Sequence, residues 1–408
     1  MQALSPFSRY DRWLLAITLL LVSFGTLMIY STTSVVSPAK GPWEEGLSPF
    51  YYFRKHLFTM MLGLIMLVAA YRLRLSGLGR LAIPLLIASL VLLLLVFVPG
   101  IGVTAGKARR WIRLWPSTFQ PSEFVKLSMV VFLAWYMSRP GYRPERFMHF
   151  AAPIGVMLLF QGIFLLQPDF GATMILGFLT VGMLFVSGVR LRYLLSLLLL
   201  SAPVVIKLLS APYRLRRITA FMDPWQDPKG SGFQLVQSFI ALGSGGLTGV
   251  GLGNSKQKLS FLPEVHTDFI FSIVGEEMGF VAAFAVVFLF AALFIKGLLI
   301  AQKNGGEPFV FYLAFGLSLM LALQALVNFF VVTGLAPTKG LPLPFISYGG
   351  SALLMNMAAV GILLNISKGG NARSSTVRKD GLGEILRRKK LKRKIYGAAA
   401  PHDIGGMS

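Results

Sequence analysis

The chain has 408 residues, 55% of them hydrophobic and 13% charged, with a formal net charge of +23 and no cysteine. Soluble domains carry about 25% charged residues, and no polar stretch here is long enough to fold as one, so a soluble multidomain protein is excluded. Without cysteine there are no disulfides or thiolate metal sites, four scattered histidines argue against a histidine cage, and basic residues spread over short loops and one tail argue against a nucleic-acid binder.

The first apolar run, Trp13 to Tyr30, is followed by no small-residue cleavage site and reads as a retained signal-anchor helix. It opens a series of stretches long enough to cross a hydrocarbon core about 30 Å thick. In chain order these are 13–31, 57–73, 79–98, 123–138, 149–166, 170–188, 191–208, 268–300, 308–334 and 348–367. The expectation is an all-α integral membrane protein of about ten transmembrane helices, with both termini on one side. A short N-terminus (1–12) precedes the membrane domain (13–367), which has a long loop at 209–267 between spans seven and eight, and a basic tail (368–408) follows.

Basic residues orient the spans. Arg9 and Arg12, then Arg72, Arg74 and Arg80, then Arg139, Arg143 and Arg146, then Arg190 and Arg192, then Lys296 and Lys303 all fall on the N-terminal side. By the positive-inside rule that side is cytoplasmic, and the tail cluster from Arg387 to Lys394 suits an anionic lipid surface. This leaves Lys107, Arg109, Arg110, Arg113 and Lys339 on the outside, together with Arg214, Arg216, Arg217, Lys229, Lys256 and Lys258 of the 209–267 loop. They either meet lipid headgroups or bind an anionic substrate.

Four loop-edge segments carry most of the polar chemistry. Gln120, Glu123 and Lys126 are spaced by three after the Ala108–Arg113 segment, and on a helix starting after Pro121 they form one polar stripe. Glu123 and Lys126 either neutralise each other or face a cavity. Asp169, in a Gln-Pro-Asp-Phe-Gly turn, is expected to cap the sixth span, with a substrate or metal contact as the alternative. The glycine density from Gly243 to Gly253 suits backbone that folds back into the membrane edge or closely approaches a ligand. Asp268 opens the eighth span, where Thr267 or Asp268 itself is expected as N-cap. Three prolines stiffen the segment Gly334–Ser351, a frame either for a plain connector or for placing the charge of Lys339.

Taken together, ARRWI (108–112), FQPSE (119–123) with Lys126, QPDFGAT (167–173), SGFQLVQSFIALGSGGLTGVGLGNS (231–255), KLSFLPEVHTDFIFSIVGEEMG (258–279) and GLAPTKGLPLPFISYGGSALL (334–354) resemble the SEDS (shape, elongation, division and sporulation) family of membrane-embedded peptidoglycan polymerases. The likeness runs from the first span to about Ser367. The PTKGLPLPF form at 337–345 resembles the division branch more than the elongation branch, while Ala336 and the extra Lys107 are small departures. The resemblance implies a SEDS-type fold and polymerisation of lipid II at the outer face of the cytoplasmic (inner) membrane, at the division septum, with polyprenyl pyrophosphate as leaving group.

It further implies Asp268 as the essential carboxylate, acting as general base. An ordinary Asp is a weak base, so orientation of the hydroxyl is expected to matter as much as proton affinity. Arg109 and Arg110 would bind pyrophosphate. Gln120, Glu123, Lys126, Asp169, Glu264, His266, Lys339 and Ser347 are the further candidates for lining the substrate site. A divalent cation (Mg or Mn) on the pyrophosphate is compatible with these residues but not demanded by them. Expected partners are lipid II, a cognate class B penicillin-binding protein (a transpeptidase), division-complex proteins and membrane lipid. The alternatives are a lipid II flippase, motivated by Glu123 and Lys126 inside a span, the elongation polymerase, and a scaffold for division proteins.

Overall fold

The protein is described from a computed structural model that covers residues 10–33, 50–105, 108–114, 117–210, 212–259 and 266–369. Lys107, Glu264 and the tail cluster lie outside the described residues. In chain order the elements are α1 (Arg12–Thr33), α2 (Tyr51–Arg72), α3 (Leu75–Arg80), α4 (Ala82–Leu95), β1 (Gly102–Ala105), β2 (Ala108–Leu114), β3 (Ser117–Phe119), α5 (Pro121–Met137), α6 (Phe147–Leu166), α7 (Phe170–Val186), α8 (Leu191–Leu209), α9 (Pro212–Met222), α10 (Phe233–Gly245), α11 (Ile270–Lys303), α12 (Pro308–Val332) and α13 (Gly350–Gly369). With α3 and α4 taken as one crossing and α9 and α10 set aside, the described helices give ten crossings that match the ten predicted spans.

Local chemistry sets the helix starts. Asp11 Oδ1 accepts from the backbone N–H groups of Trp13 and Leu14, both at 3.0 Å, capping α1. Pro121 and Pro308 begin α5 and α12, where a missing N–H costs nothing. Six of the described helices are long and apolar enough to cross a membrane, with shorter apolar helices at 82–95, 170–186 and 191–203. By contrast, α5 has only 17 residues and carries two charges. It needs no lipid-facing surface, because it packs against α4, α7 and α12 and buries most of its length. The exposed apolar side chains sit elsewhere: Leu198, Leu199 and Leu200 of α8 are 65–76% exposed, which fits a hydrocarbon surround.

Hydrogen bonds identify the two ends of the bundle. At the N-terminal end, Asp11 N donates to Ser367 Oγ at 3.0 Å, Lys296 lies 3.6 Å from Asp11, and Lys368 Nζ donates to Tyr71 O at 3.1 Å. The start of α1 and the ends of α2, α11 and α13 therefore meet on one side. The distal end gathers the sheet and the loops before α5, α7, α11 and α13.

Three elements were not legible from hydropathy. The antiparallel sheet, ordered β1-β2-β3, forms in the segment that holds Arg109 and Arg110, whose basic run does not alternate as a strand pattern would. The segment 209–267 is not simply a loop, since it contains α9 and α10. Ser238 of α10 bonds Ser272 Oγ of α11 and Val332 O of α12, both at 2.8 Å, so α10 packs into the distal half of the bundle. Finally, α11 is broken at Gly279 (φ 75, ψ −175) rather than continuous.

The break is filled by the glycine-rich backbone after α10. Val250 N and Gly251 N donate to Glu276 O and Glu277 O at 3.0 Å, while Phe280 N and Val281 N donate to Gly246 O and Leu247 O at 2.9 and 3.2 Å. Every carbonyl and amide freed by the kink that these contacts reach is thus paired, as a non-helical segment buried in protein requires. Gly249 and Gly279 sit at positive φ with facing backbone too close for a side chain, that of Glu277 and Met278 for Gly249 and that of Leu247 and Gly249 for Gly279. The glycine density, read from sequence as backbone folding back into the membrane edge or approaching a ligand, here serves a close approach to α11 itself.

Candidate active site

The distal end is organised around the turn His266–Phe269 that leads into α11. Asp268 is partly exposed there. Contrary to the sequence expectation, neither Thr267 nor Asp268 caps α11: the N-cap is Phe269, with no side-chain cap bond. The turn continues one residue further than the apolar pattern indicates.

Three residues from two other elements hold this turn. Asn328 of α12, buried, donates from Nδ2 to Asp268 O at 2.9 Å and to Leu341 O at 2.7 Å. Ser347 Oγ donates to Thr267 O while accepting from Leu343 N at 2.8 Å. Tyr348 N donates to His266 O at 2.8 Å, and the His266 ring lies 5.3 Å from Tyr52 and 5.7 Å from Tyr348 between ring centroids. The proline-rich segment 333–349 is therefore a clamp on the Asp268 turn as well as a connector. Ser347 and His266 belong to it, one through its hydroxyl and the other through its carbonyl and ring.

A second group gathers where the sheet meets α7. Asp169 accepts from Ala172 N at 3.1 Å, so it caps α7 as expected, and its second oxygen accepts from Gln120 Nε2 at 3.1 Å. Arg110 Nη1 stands 4.0 Å from Asp169 Oδ1, and its guanidinium also donates to Gln167 O at 3.2 Å and to Pro168 O. Arg110 keeps 25% of its side chain exposed. Arg109 turns the other way, donating to Phe97 O, Val98 O and Gly102 O at 3.1, 2.8 and 3.4 Å. A cation over the last carbonyls beyond α4 is the usual partner of a helix C-terminus. Lys339 reaches α7 instead, with Nζ 3.2 Å from the Phe170 ring centroid.

Deeper in the bundle, Lys126 Nζ lies 2.9 and 2.8 Å from the two oxygens of Glu123 and donates to Gln324 Oε1 at 2.9 Å. Gln324 Nε2 in turn donates to Asn356 Oδ1 at 3.3 Å, so α5, α12 and α13 share one buried polar chain. Gln324 lies one helical turn from Asn328, on the same face of α12. A further buried pair joins α1, α11 and the glycine-rich segment: Lys258 Nζ donates to Glu277 Oε1 at 2.8 Å and Ser31 Oγ to Glu277 Oε2 at 2.6 Å. Its neighbour Glu276 accepts from Ser255 Oγ and from Lys256 N, the latter at 2.9 Å.

Sequence reasoning missed Gln324, Asn328, Glu276 and Glu277 as organising residues. The signal was present, because polar residues inside apolar spans are costly and seldom idle. Among the described residues no group of three or more His, Cys, Asp or Glu is placed to hold a metal ion.

These observations define a multi-pass helical membrane protein with a polar site at one end of the bundle, built from a clamped carboxylate, a fixed guanidinium and a half-buried lysine. The chain belongs to the FtsW/RodA/SpoVE family, described as cell cycle proteins, whose pattern matches residues 11–371. It is 42% identical over 366 residues, 89% of this chain and 96% of the relative, to a probable peptidoglycan glycosyltransferase FtsW of Geobacter metallireducens. Identity is 40% over 362 residues, 88% of this chain and 96% of the relative, to the protein of the same name in Coxiella burnetii. Among solved structures, a chain of a peptidoglycan synthase complex that coordinates polymerization and crosslinking matches with a TM-score of 0.72 at 29% identity, covering 89% of this chain and 99% of that one. The rod shape determining protein RodA of Thermus thermophilus matches with a TM-score of 0.64 at 28% identity, covering 88% and 97%.

Proposed function

We propose that this protein is a peptidoglycan glycosyltransferase of the division type, which polymerises lipid II into glycan strands. The observation that carries the reading is the Asp268 turn, held by Asn328, Ser347 and Tyr348 so that a partly exposed carboxylate stands at a fixed place beside the basic distal loops. The 40–42% identical relatives named as probable peptidoglycan glycosyltransferases support the same reading.

The reaction asks for a base, an electrophile and a stabilised leaving group. Asp268 takes the proton of the sugar 4-hydroxyl of one lipid-linked disaccharide as that oxygen bonds to C1 of another. The C1–O bond to pyrophosphate breaks, and its electron pair leaves with the polyprenyl pyrophosphate. A fixed carboxylate contributes mainly by orienting the hydroxyl, and a positioned general base is worth about 10²–10⁴ in rate. Arg110, partly exposed at the distal end, is assigned to the pyrophosphate. Lys339 lies across the same mouth, on Phe170. Arg109 acts beneath them by holding the end of α4 and the sheet together. Glu123 and Lys126, closed on Gln324, set the spacing of α5, α12 and α13. In this reading Gln120 and Asp169 position Arg110, while Glu264, outside the described residues, is kept as a candidate on sequence alone. A divalent cation, Mg or Mn, on the pyrophosphate is compatible with this reading but not demanded by it.

We place the protein in the cytoplasmic membrane at the division septum, with the distal end facing outward. A class B penicillin-binding protein is assigned as its partner, because a matching fold occurs in a peptidoglycan synthase complex. The test is polymerisation of purified lipid II by the protein with that partner, run beside a vesicle assay of lipid II movement across the bilayer. Glycan strands that vanish with Asp268→Ala, without transbilayer movement, are the expected result. Rapid movement that survives the substitution, with no polymer, would mark a flippase and overturn the proposal.

A further inference from the structure

The segment facing Asp268 contains a glycine whose presence the backbone does not require. Leu341 N donates to Lys339 O at 3.1 Å, a three-residue turn centred on Gly340. Its φ lies outside the left-handed region, so any L residue could adopt this conformation. What sets Gly340 apart is its neighbour. A Cβ built there would lie 2.9 Å from Asp268 Oδ2, 3.7 Å from Cγ and 3.8 Å from Oδ1, and these three Asp268 atoms are the nearest it would meet. On its far side the same turn is fixed, since Leu341 O accepts from Asn328, the residue that also holds Asp268 O. The two chains are thus tied together by one amide, and neither can drift away from a new methyl group.

From this geometry we infer that Gly340 is a positioning residue for the reaction: its bare Cα leaves the space in which the Asp268 carboxylate stands. The inference rests on the assignment of Asp268 as the working carboxylate. An alanine methyl at 340 forces the carboxylate back by about half an ångström to reach ordinary contact distance, and the carboxylate is the movable end of its side chain. Misplacement by about 1 Å costs around 10²-fold in rate, so G340A loses about 10- to 100-fold in kcat. KM for lipid II stays within about twofold, because the pyrophosphate ligands are untouched. Serine and valine at 340 lose more than alanine, in order of size.

The experiment compares G340A, G162A and Asp268→Asn in the lipid II polymerisation assay with the partner, alongside thermal unfolding of each purified protein. Gly162 of α6 is the control, since it is exposed, far from the clamp in sequence, and a Cβ there would meet nothing within 4 Å. The expected pattern is a folded G340A with unchanged or slightly raised Tm, a reduced kcat, and a normal G162A. Full activity of G340A beside an inactive Asp268→Asn overturns the inference while leaving the assignment of Asp268 standing, whereas a fully active Asp268→Asn removes that assignment. If G340A unfolds, the double variant Asp268→Ala/G340A decides: restored folding supports a clash with the carboxylate, and equal unfolding overturns it.

Discussion

Replacing Asn328 by Ala removes one side chain and leaves two carbonyls, the part-buried one of Asp268 and the buried one of Leu341, without the donor that now serves both at 2.9 and 2.7 Å. A buried acceptor stripped of its partner costs about 1–3 kcal/mol, which applies in full to Leu341 O and only in part to Asp268 O. The loss is local, since Asn328 holds the end of the Asp268 turn against the proline-rich segment. Both stability and catalysis should therefore fall, with kcat reduced more than lipid II affinity. Asn328→Asp is the sharper probe, because it keeps the shape but replaces two N–H donors by an oxygen facing two carbonyl oxygens. It should be at least as damaging as the alanine. Thermal unfolding in detergent, paired with lipid II polymerisation, reads both effects. An Asn328→Asp protein with unchanged Tm and full activity would refute the argument that this amide holds the carboxylate turn.

Other substitutions test the supporting frame. Lys126→Ala leaves Glu123 charged and buried, an expected cost of about 3–5 kcal/mol, whereas the double change Glu123→Gln/Lys126→Met should recover much of it. Equal stability of single and double variants would show that the pair is not coupled. Gly279→Ala should destabilise the distal half of α11, because its Cβ would meet Gly249 N at 2.4 Å and the φ of +75 disfavours any side chain. Hydrogen exchange at the 246–251 amides should rise with it, and unaltered protection there would contradict the account of the kink. Arg109→Ala should lower Tm with little change in lipid II KM, and a large KM effect would instead place that guanidinium on substrate.

The membrane fold was legible because hydrocarbon imposes a plain rule on length and polarity, and ten apolar runs obeyed it. The weakest of them, α5, looked poor for a physical reason: a helix buried inside the bundle does not need an apolar surface on every side. Its charges, Glu123 and Lys126, do form the pair that their spacing suggested, closed by a glutamine from a distant helix that no local pattern could reveal. Asp169 capped α7 as its Pro-Asp-Phe-Gly turn foretold. Asp268 did not cap α11, because helix ends are set by backbone geometry one or two residues finer than hydropathy resolves. The sheet at 102–119 escaped notice because its basic run does not alternate as a strand pattern would, and the helix at 233–245 because its partners on α11 and α12 lie far away in sequence. The clamp on Asp268 escaped for the same reason, since Asn328 and Ser347 meet the turn only after folding.

The central claim is that the Asp268 carboxylate, held in place by its turn, performs the proton transfer of glycan polymerisation. Asp268→Asn changes one oxygen to nitrogen and leaves the backbone bonds from Asn328, Ser347 and Tyr348 available to form. Its initial rate of lipid II polymerisation, measured with the transpeptidase partner against the unaltered protein at equal Tm, is predicted to fall by at least about 10²-fold. A folded Asp268→Asn protein that polymerises lipid II at the unaltered rate would contradict the account.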